Sequence, residues 1–454
     1  MTAYNVTSTP SSKTCATTGA LNCTVSGLAN HTAYTFKVTA TNSVGTSLAS
    51  AASGTVLPRP GASFMPLTPN RVLNNQLLAN RAYVTFPVTN RFSGDATRNV
   101  PSAATAVTGV LTVSGSTALG YLALTPTPTN NPQTSTINFP LGDTRSTGFT
   151  VQLGTGSYAG TLSLTFVGGT GKTARAALDI TGYFLPGSSG ATYSALTPNR
   201  ILESLKDIGM SSGLTAGTPK SFQVTGRVPG DTSRNVPSSA VAVTGTLTVT
   251  SQTKTGCISL GPDQIASPTT TSLCFPYVTG GDNRATGITV RLGSGGVLWA
   301  VYTAGAGGTT NILFDVTGFY IPGSAGAMYV PVTPSRILDT RYKIGLPGKL
   351  RAKIGVTFQV TGRSSDQTKN IPASAVAVTG ILTVTNQTSL GYLALTKTKT
   401  NSPGTSTLNF PKGDNRATGV TVPLGPGGTL GITYVANLGN ITDAIFDVSG
   451  YFIF

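Results

Sequence analysis

The stretch Ser374–Val384, SAVAVTGILTV, occurs three times in the chain, because SSAVAVTGTLTV ends at Val249 and SAATAVTGVLTV ends at Val113. Apolar and polar positions alternate along it, which is the period-2 pattern of a β-strand. Past Gly380 the second face carries Ile381 and threonines, so it is only partly apolar. The pattern predicts a strand with one face in a core.

The segments around this strand recur in the same order in every copy. Each copy opens with TPNR or TPSR and continues after the central strand with a GDxR turn, a TGxTVxL strand, a Gly-rich hairpin and a closing strand such as FDVTGFY. Short strands separated by Gly, Pro, Asn and Asp turns are typical of sandwiches and jelly rolls. The sequence therefore predicts an all-β protein of tandem antiparallel β-sandwich, jelly-roll-like domains. The copies span 64–187, 191–323 and 327–454.

The composition agrees with a β-rich fold and limits the partners. Among 454 residues only 10% are charged, and 30 Lys and Arg against 14 Asp and Glu give a net charge of +16. The basic residues are scattered, whereas nucleic-acid binding needs a concentrated basic stripe, so we expect no nucleic-acid partner. An anionic cell-wall or capsular glycan remains a candidate partner.

The four cysteines form two local pairs, Cys15 with Cys23 and Cys257 with Cys274. An even number of cysteines, arranged as two pairs close in sequence, predicts two disulfides in an oxidising compartment. The chain has no apolar run long enough to span a membrane. Its first residues, MTAYNVTSTP, are too polar for a secretory signal, so we expect either a signal upstream of this chain or export without one.

Residues 1–58 have a separate pattern, followed by a Pro-rich linker at 59–63. Tyr34, Phe36 and Val38 alternate with polar residues, which predicts a strand with one buried face. The surrounding run from Gly27 to Gly45 resembles the fibronectin type III signature, in which Tyr34 would be the corner tyrosine. The resemblance implies a partial sandwich, because the first two strands are missing. Either those strands lie upstream in a longer protein, or a neighbouring subunit supplies a strand by β-augmentation.

The sequence offers little for catalysis. The only histidine, His31, lies outside the three copies, so a Ser-His-Asp or Cys-His arrangement or a His-based metal site within them is not expected. We predict no catalytic residue, no metal site and no cofactor.

Two aspartates nevertheless recur in each copy, and both are predicted to be structural rather than a glycosidase acid and base. The strand aspartates are expected to pair with the arginines of TPxR; these residues are Asp179, Asp315 and Asp447, with Arg71, Arg200 and Arg336. The GDxR residues are expected to stabilise turns; they are Asp143, Asp282 and Asp414, with Arg145, Arg284 and Arg416.

Residues 64–454 resemble tandem β domains of about 130 residues, well above the period of solenoid repeats, found in secreted and surface-anchored bacterial proteins. The motifs TPxRxLDTR (complete at Thr333–Arg341), AVAVTGxLTV and FDVTGYF carry the resemblance. It implies an extracellular or cell-surface location more than it implies an activity.

The sequence favours a structural extracellular protein, a string of β domains in a cell-surface stalk, layer or filament. The incomplete N-terminal domain and the apolar finish Ile445–Phe454 would join copies head-to-tail by strand complementation. The alternative is an adhesive module that holds a secreted hydrolase on a cell-wall polysaccharide. Sugar platforms need exposed aromatic residues, and the one tryptophan, Trp299, has no match in the other copies.

Overall fold

The computed structural model describes residues 1–30, 32–56, 58, 60–279 and 281–454. It is almost wholly antiparallel β structure, which confirms the predicted fold class. The strands of the N-terminal unit are β1 (Ala3–Thr9), β2 (Thr14–Thr17) and β3 (Thr35–Thr41). Those of the first repeat are β4 (Ala62–Ala79), β5 (Tyr83–Pro87), β6 (Ala106–Ser114), β7 (Gly120–Thr125), β8 (Ile137–Phe139), β9 (Arg145–Gln152), β10 (Thr161–Val167) and β11 (Thr173–Pro186).

The other two repeats have corresponding strands. Those of the second are β12 (Ala191–Glu203), β13 (Leu214–Thr215), β14 (Lys220–Gln223), β15 (Ala242–Thr250), β16 (Gly256–Gly261), β17 (Leu273–Phe275), β18 (Arg284–Arg291), β19 (Val297–Ala304) and β20 (Thr309–Pro322). Those of the third are β21 (Met328–Asp339), β22 (Leu350–Arg351), β23 (Gly355–Gln359), β24 (Ala377–Thr385), β25 (Gly391–Thr396), β26 (Leu408–Phe410), β27 (Arg416–Pro423), β28 (Thr429–Val435) and β29 (Ile441–Ile453). Single-turn 3₁₀ helices lie at Gly156–Tyr158, Ser204–Lys206, Ser294–Gly296 and Pro426–Gly428.

The N-terminal unit, Met1–Pro60, contains a three-stranded sheet in the order β2-β1-β3. Tyr34 is buried, and its hydroxyl accepts a hydrogen bond from the Ala29 N–H at 3.1 Å. The strand face that carries Tyr34, Phe36 and Val38 is not buried along its whole length, because Val38 is 37% exposed. The expectation of a buried face therefore holds at Tyr34 but not at Val38, and among the described residues of this unit no second sheet covers the strand.

Each repeat is a sandwich of an inner and an outer sheet. In the first repeat the inner order is β4-β11-β6-β9 and the outer order is β5-β10-β7-β8. Apart from β7 and β8, which are neighbours in the outer sheet, successive strands alternate between the two sheets, as in a jelly roll. The same orders recur as β12-β20-β15-β18 with β14-β19-β16-β17, and as β21-β29-β24-β27 with β23-β28-β25-β26.

The three jelly rolls do not form a linear string. Gly61–Phe454 is one compact unit, and β4 pairs with both β12 and β21 through Ala191↔Phe64 and Tyr329↔Ala62. Ala62 and Ser63, expected in the linker, already belong to β4, whereas Arg59 lies outside the described residues. The picture of repeats strung out along a stalk is therefore wrong for this unit.

This packing changes what the central strands do. The strand that contains AVTGVLTV in the first repeat, β6, is buried on both faces, and Val110 on the second face packs into the core of the second repeat. The expectation that one face alone makes a core is wrong, because a neighbouring jelly roll covers the other. The threonines of this face lie at a junction between repeats.

The C-terminal stretch is also enclosed. Strand β29 lies between β21 and β24 and pairs with both, so its backbone N–H and C=O groups are already used. Ile445–Phe454 is therefore not a free strand for a neighbouring subunit, contrary to the expectation of strand complementation at this end.

Candidate functional site

The arginines of TPxR and the aspartates of the closing strands lie opposite one another in the inner sheets. Arg71 Nε and Nη2 each donate to Asp179 at 2.8 Å, and the register pairs the two residues directly. The other repeats contain the same bidentate pairs, Arg200 with Asp315 and Arg336 with Asp447, at 2.8 and 3.0 Å. Each pair joins the opening strand of its jelly roll to the closing strand.

These pairs are partly withdrawn from water. Asp179 is 1% exposed, and this burial raises the pKa of its carboxyl because it disfavours the ionised form. The hydrogen bond to Asp179 raises the pKa of Arg71, since it favours the charged guanidinium. Both carboxylate oxygens accept an N–H, which is the geometry of an ionised pair.

A second carboxylate beside the arginine was missed in the sequence. Glu203 accepts from Arg200 at 3.0 Å, and Asp339 accepts from Arg336 at 3.3 Å. Although burial raises the pKa of Asp339, the hydrogen bond and charge of Arg341 outweigh it and lower that pKa. The signal was the acidic residue three positions after the arginine in TPxRxL(D/E).

The GDxR turns, predicted as three separate local features, meet in one ring. Each arginine binds the aspartate of its own turn, in the pairs Arg145–Asp143, Arg284–Asp282 and Arg416–Asp414. Each also binds the aspartate of a neighbouring repeat, in the pairs Arg145–Asp414 (2.9 Å), Arg284–Asp143 (2.9 Å) and Arg416–Asp282 (2.6 Å). We call these six residues the Arg–Asp ring; it closes around a common three-fold axis.

The Arg–Asp ring is almost entirely buried, so its charges act through a low dielectric. Burial raises the pKa of Asp414, but the positive charges of Arg145 and Arg416 outweigh this and hold that pKa below its usual range. Burial likewise lowers the pKa of Arg284, and the charges of Asp143 and Asp282 reverse the shift. Burial and the like charge of Arg284 lower the pKa of Arg416. Each guanidinium thus lies between two carboxylates, whose charges offset part of the cost of its burial.

A layer of glycine and threonine from TGxTVxL lies next along the axis. The backbone N–H of each glycine donates to the threonine hydroxyl of another repeat, in the pairs Gly148–Thr286 (2.9 Å), Gly287–Thr418 (3.0 Å) and Gly419–Thr147 (3.1 Å). A Cβ on Gly148 would lie 1.8 Å from the carbonyl oxygen of Gly287, and the other two glycines are equally enclosed. Only glycine lets the strands approach this closely.

The far end of the axis is a cluster of aromatic rings, two from each repeat. The closest pairs are Phe64–Tyr320 (4.3 Å between centroids), Tyr193–Phe452 (4.4 Å) and Tyr329–Phe184 (4.2 Å), each between different repeats. Burial raises the pKa of the tyrosines. A Cβ on Gly182 of the closing strand would lie 2.3 Å from Phe64 Cζ, and one on Gly318, the glycine of FDVTG in the second repeat, would lie 2.4 Å from Tyr193 Cε2.

Both cysteine pairs form disulfides, Cys15–Cys23 and Cys257–Cys274. Cys257 and Cys274 are directly paired on β16 and β17, as are Tyr121 with Asn138 and Tyr392 with Asn409 in the other repeats. Disulfides persist in oxidising compartments, so these bonds indicate a non-reducing environment for the chain.

The six recurring aspartates are all bound to arginine. Within the described ranges, no group of three or more His, Cys, Asp or Glu side chains is placed to hold a metal ion. In the same ranges no helix has the length and apolar character needed to cross a bilayer. His31 lies outside the described residues. The recurring Arg–Asp pairs thus join strands within each repeat and join the three repeats around the axis.

No protein-family model matches this chain, and no curated protein does. A structure from the Sulfolobus turreted icosahedral virus is 10% identical and covers 85% of this chain and 91% of its own, with a TM-score of 0.14. The chicken CNTN1 FN1-FN3 domains are 9% identical and cover 67% of this chain and 89% of their own, with a TM-score of 0.10. Likenesses this weak carry no argument, and the resemblance to tandem surface repeats stays a prediction.

Proposed function

We propose that this chain is a structural protein of the extracellular surface, in which three fused jelly rolls form a rigid body that associates with further copies. The observation that carries the proposal is the axis, where recurring motif residues bind neighbouring repeats. Buried charge rings, enclosed glycines and packed aromatic rings resist deformation. Because the recurring motif residues are used to join the repeats, we favour a role in mechanical support over one in catalysis. Disulfides suit such a protein outside the cell.

An exposed apolar patch beside the Arg–Asp ring supports self-association. Leu390 is 70% exposed and Tyr277 is 49% exposed, and both line an open hollow together with Val278 and Asp282. Leu141 of the first repeat, two residues before Asp143, is 66% exposed. Exposed apolar residues that line one hollow, as Tyr277, Val278 and Leu390 do, mark association surfaces. A second copy that covered this end would remove them from water.

Light scattering after size exclusion, followed by electron microscopy, tests the proposal. We expect the protein to form ordered oligomers or fibres. The double variant Tyr277→Asp, Leu390→Asp should stay monomeric, because two charges would be buried at the contact. Tyr158→Asp, a substitution of a 39% exposed tyrosine beyond the other end of β9, should assemble normally. A wild-type protein that stays monomeric at all concentrations would refute the proposal.

The alternative, a polysaccharide-binding module of a secreted hydrolase, is favoured by the distribution of charge. The chain has 30 basic and 14 acidic residues, and the recurring aspartates are consumed by internal pairs. These pairs withdraw six arginines together with the six aspartates, so the excess of positive charge lies on the remaining residues. Sedimentation with purified anionic cell-wall polysaccharide, repeated from low to high salt, measures this. Retention that falls steeply with salt would favour the alternative, since surface charges are screened.

A further inference from the structure

A hollow lies on the second repeat at a place where the other two repeats have different residues. It lies between strand β19, the loop 262–270 and a short part of the first repeat around Thr68. Trp299, Ile265 and Pro262 line it, and Arg98 of the first repeat lies at its side. We call it the Trp299 cleft.

The other two repeats show why the cleft is confined to the second. The register places Trp299 where the first repeat has Ser163 and the third has Gly431. Ser163 is bonded to Thr85 at 2.8 Å, while a Cβ on Gly431 would meet the backbone of Lys399 at 2.7 Å. In those repeats the space above the strand is therefore occupied by the protein itself.

A second difference keeps the loop of the second repeat away from the strand. Thr165 donates to the carbonyl of Thr129 at 2.7 Å, and Thr433 donates to that of Thr400 at 2.6 Å. The corresponding residue of the second repeat is Val301, which has no hydroxyl to hold the loop. The loss of this bond and the gain of an indole at one place together produce an open cleft with an aromatic wall.

The Trp299 cleft has one acidic and one basic side chain, Asp263 and Arg98. Asp263 is exposed and has no hydrogen bond or ion pair within the part of the chain that the structure describes. Arg98 is held only by an exposed pair with Asp95 at 3.6 Å, which leaves N–H groups for a ligand. The Trp299 cleft therefore combines an apolar ring surface with a free acceptor and a free donor.

We propose that the Trp299 cleft binds a pyranose ring of a glycan chain. A pyranose ring presents C–H groups on its face, which an indole contacts well, and hydroxyl groups around its edge, which a carboxylate and a guanidinium bind. The amphipathic indole suits such a mixed surface. The proposal does not depend on self-association, so either can fail without the other.

The single tryptophan makes the cleft directly measurable. Titration with chitohexaose, cellohexaose and xylohexaose is followed by tryptophan fluorescence, which reports on Trp299 alone. We expect a saturable change with at least one of these sugars. Calorimetry with the same sugar should show binding at least tenfold weaker for Trp299→Ser and for Asp263→Thr. These substitutions introduce the residues that the first repeat carries at the matching positions, Ser163 and Thr127. Arg351→Ala, an exposed substitution in the third repeat, should bind as the wild type does.

Three results would overturn the proposal. One is that none of the sugars, nor any glycan on an array, binds the intact protein. Another is that a sugar binds with an affinity that neither variant changes. The third is that a decaproline peptide, which aromatic grooves also accept, is the ligand that saturates the fluorescence change while the sugars do not. Circular dichroism tests whether the two cleft variants fold. We expect them to fold, because each introduces a residue that the first repeat carries at the same position.

Discussion

Arg284 of the second repeat binds Asp143 of the first at 2.9 Å, with both side chains less than 10% exposed. The same contact recurs around the axis, so each repeat neutralises a charge of its neighbour. Removing one partner of a buried pair leaves the other charge without compensation. Such losses cost about 3–5 kcal/mol.

We therefore expect Arg284→Ala to lower the free energy of unfolding of the three-repeat unit by about 3–5 kcal/mol in urea denaturation. Lys369→Ala is the control, because Lys369 forms an exposed pair with Asp366 at 3.2 Å. That change should cost about 0–1 kcal/mol. Equal losses in the two variants would show that the Arg–Asp ring does not join the repeats.

The glycine layer predicts intolerance to the smallest side chain. A Cβ on Gly287 would lie 2.0 Å from the carbonyl oxygen of Gly419, so Gly287→Ala must separate the strands. We expect a loss of about 1–3 kcal/mol or more, as in other overpacked cores. Gly348→Ala has no atom within 4 Å of the new Cβ and should be nearly neutral. Thermal unfolding of both variants measures the difference; similar midpoints would contradict the layer.

Acid should weaken the Arg–Asp ring. The pKa of Asp414 is lowered in the folded protein, so its contribution is complete above the unfolded pKa of about 3.9 and is lost as the pH falls through the folded value. The stability difference between wild type and Asp414→Asn should therefore be large at pH 7 and shrink below about pH 4. Urea midpoints from pH 7 to pH 2.5 test this. A difference that is constant over the whole series would exclude Asp414 as the titrating group.

The second disulfide can be replaced by its counterparts in the other repeats. Cys257→Tyr with Cys274→Asn restores the residues paired at this register in the first repeat. We expect the fold to be retained and the stability to fall by about 3 kcal/mol, because the unfolded chain loses a constraint. The converse change, Tyr121→Cys with Asn138→Cys, should form an additional disulfide, visible as a loss of two mass units. Failure to form that bond would show that the registers are not equivalent.

The Arg336–Asp447 pair is suited to a double-mutant cycle. Arg336→Ala and Asp447→Ala should each destabilise the third repeat, and the double variant should lose less than their sum by about 0.5–3 kcal/mol, the usual coupling of directly bonded residues. Equilibrium denaturation gives the three values. Additive losses would mean that the contact at 2.8 Å contributes nothing to stability.

The sequence predicted features that depend on contacts within one repeat. Alternation identified the strands, and a matched arginine and aspartate in every copy identified pairs such as Arg71–Asp179. The spacing of the cysteines likewise predicted the two disulfides. Each of these follows from local periodicity or from comparison of one copy with another.

What the sequence did not predict depends on how the copies meet. Asp143 is consistent with an ordinary turn residue until a second repeat places Arg284 against it. The partly apolar second face of β6 looked solvent-exposed because its partner belongs to another repeat. A glycine present in every TGxTV motif, such as Gly287, was the available signal, since its close approach to Gly419 requires the absence of a side chain.

The fusion of three jelly rolls in one polypeptide has a consequence for how this protein diversifies. In a homotrimer every substitution appears three times around the axis, so an indole or a disulfide introduced on one subunit is imposed on all. Here Trp299 and the Cys257–Cys274 bond occur in the second repeat alone, whereas the first and third repeats carry Ser163 or Gly431 and a Tyr–Asn pair at the matching positions. Covalent linkage thus allows one repeat to acquire a new residue on its surface while the contacts between the three repeats around the axis stay the same.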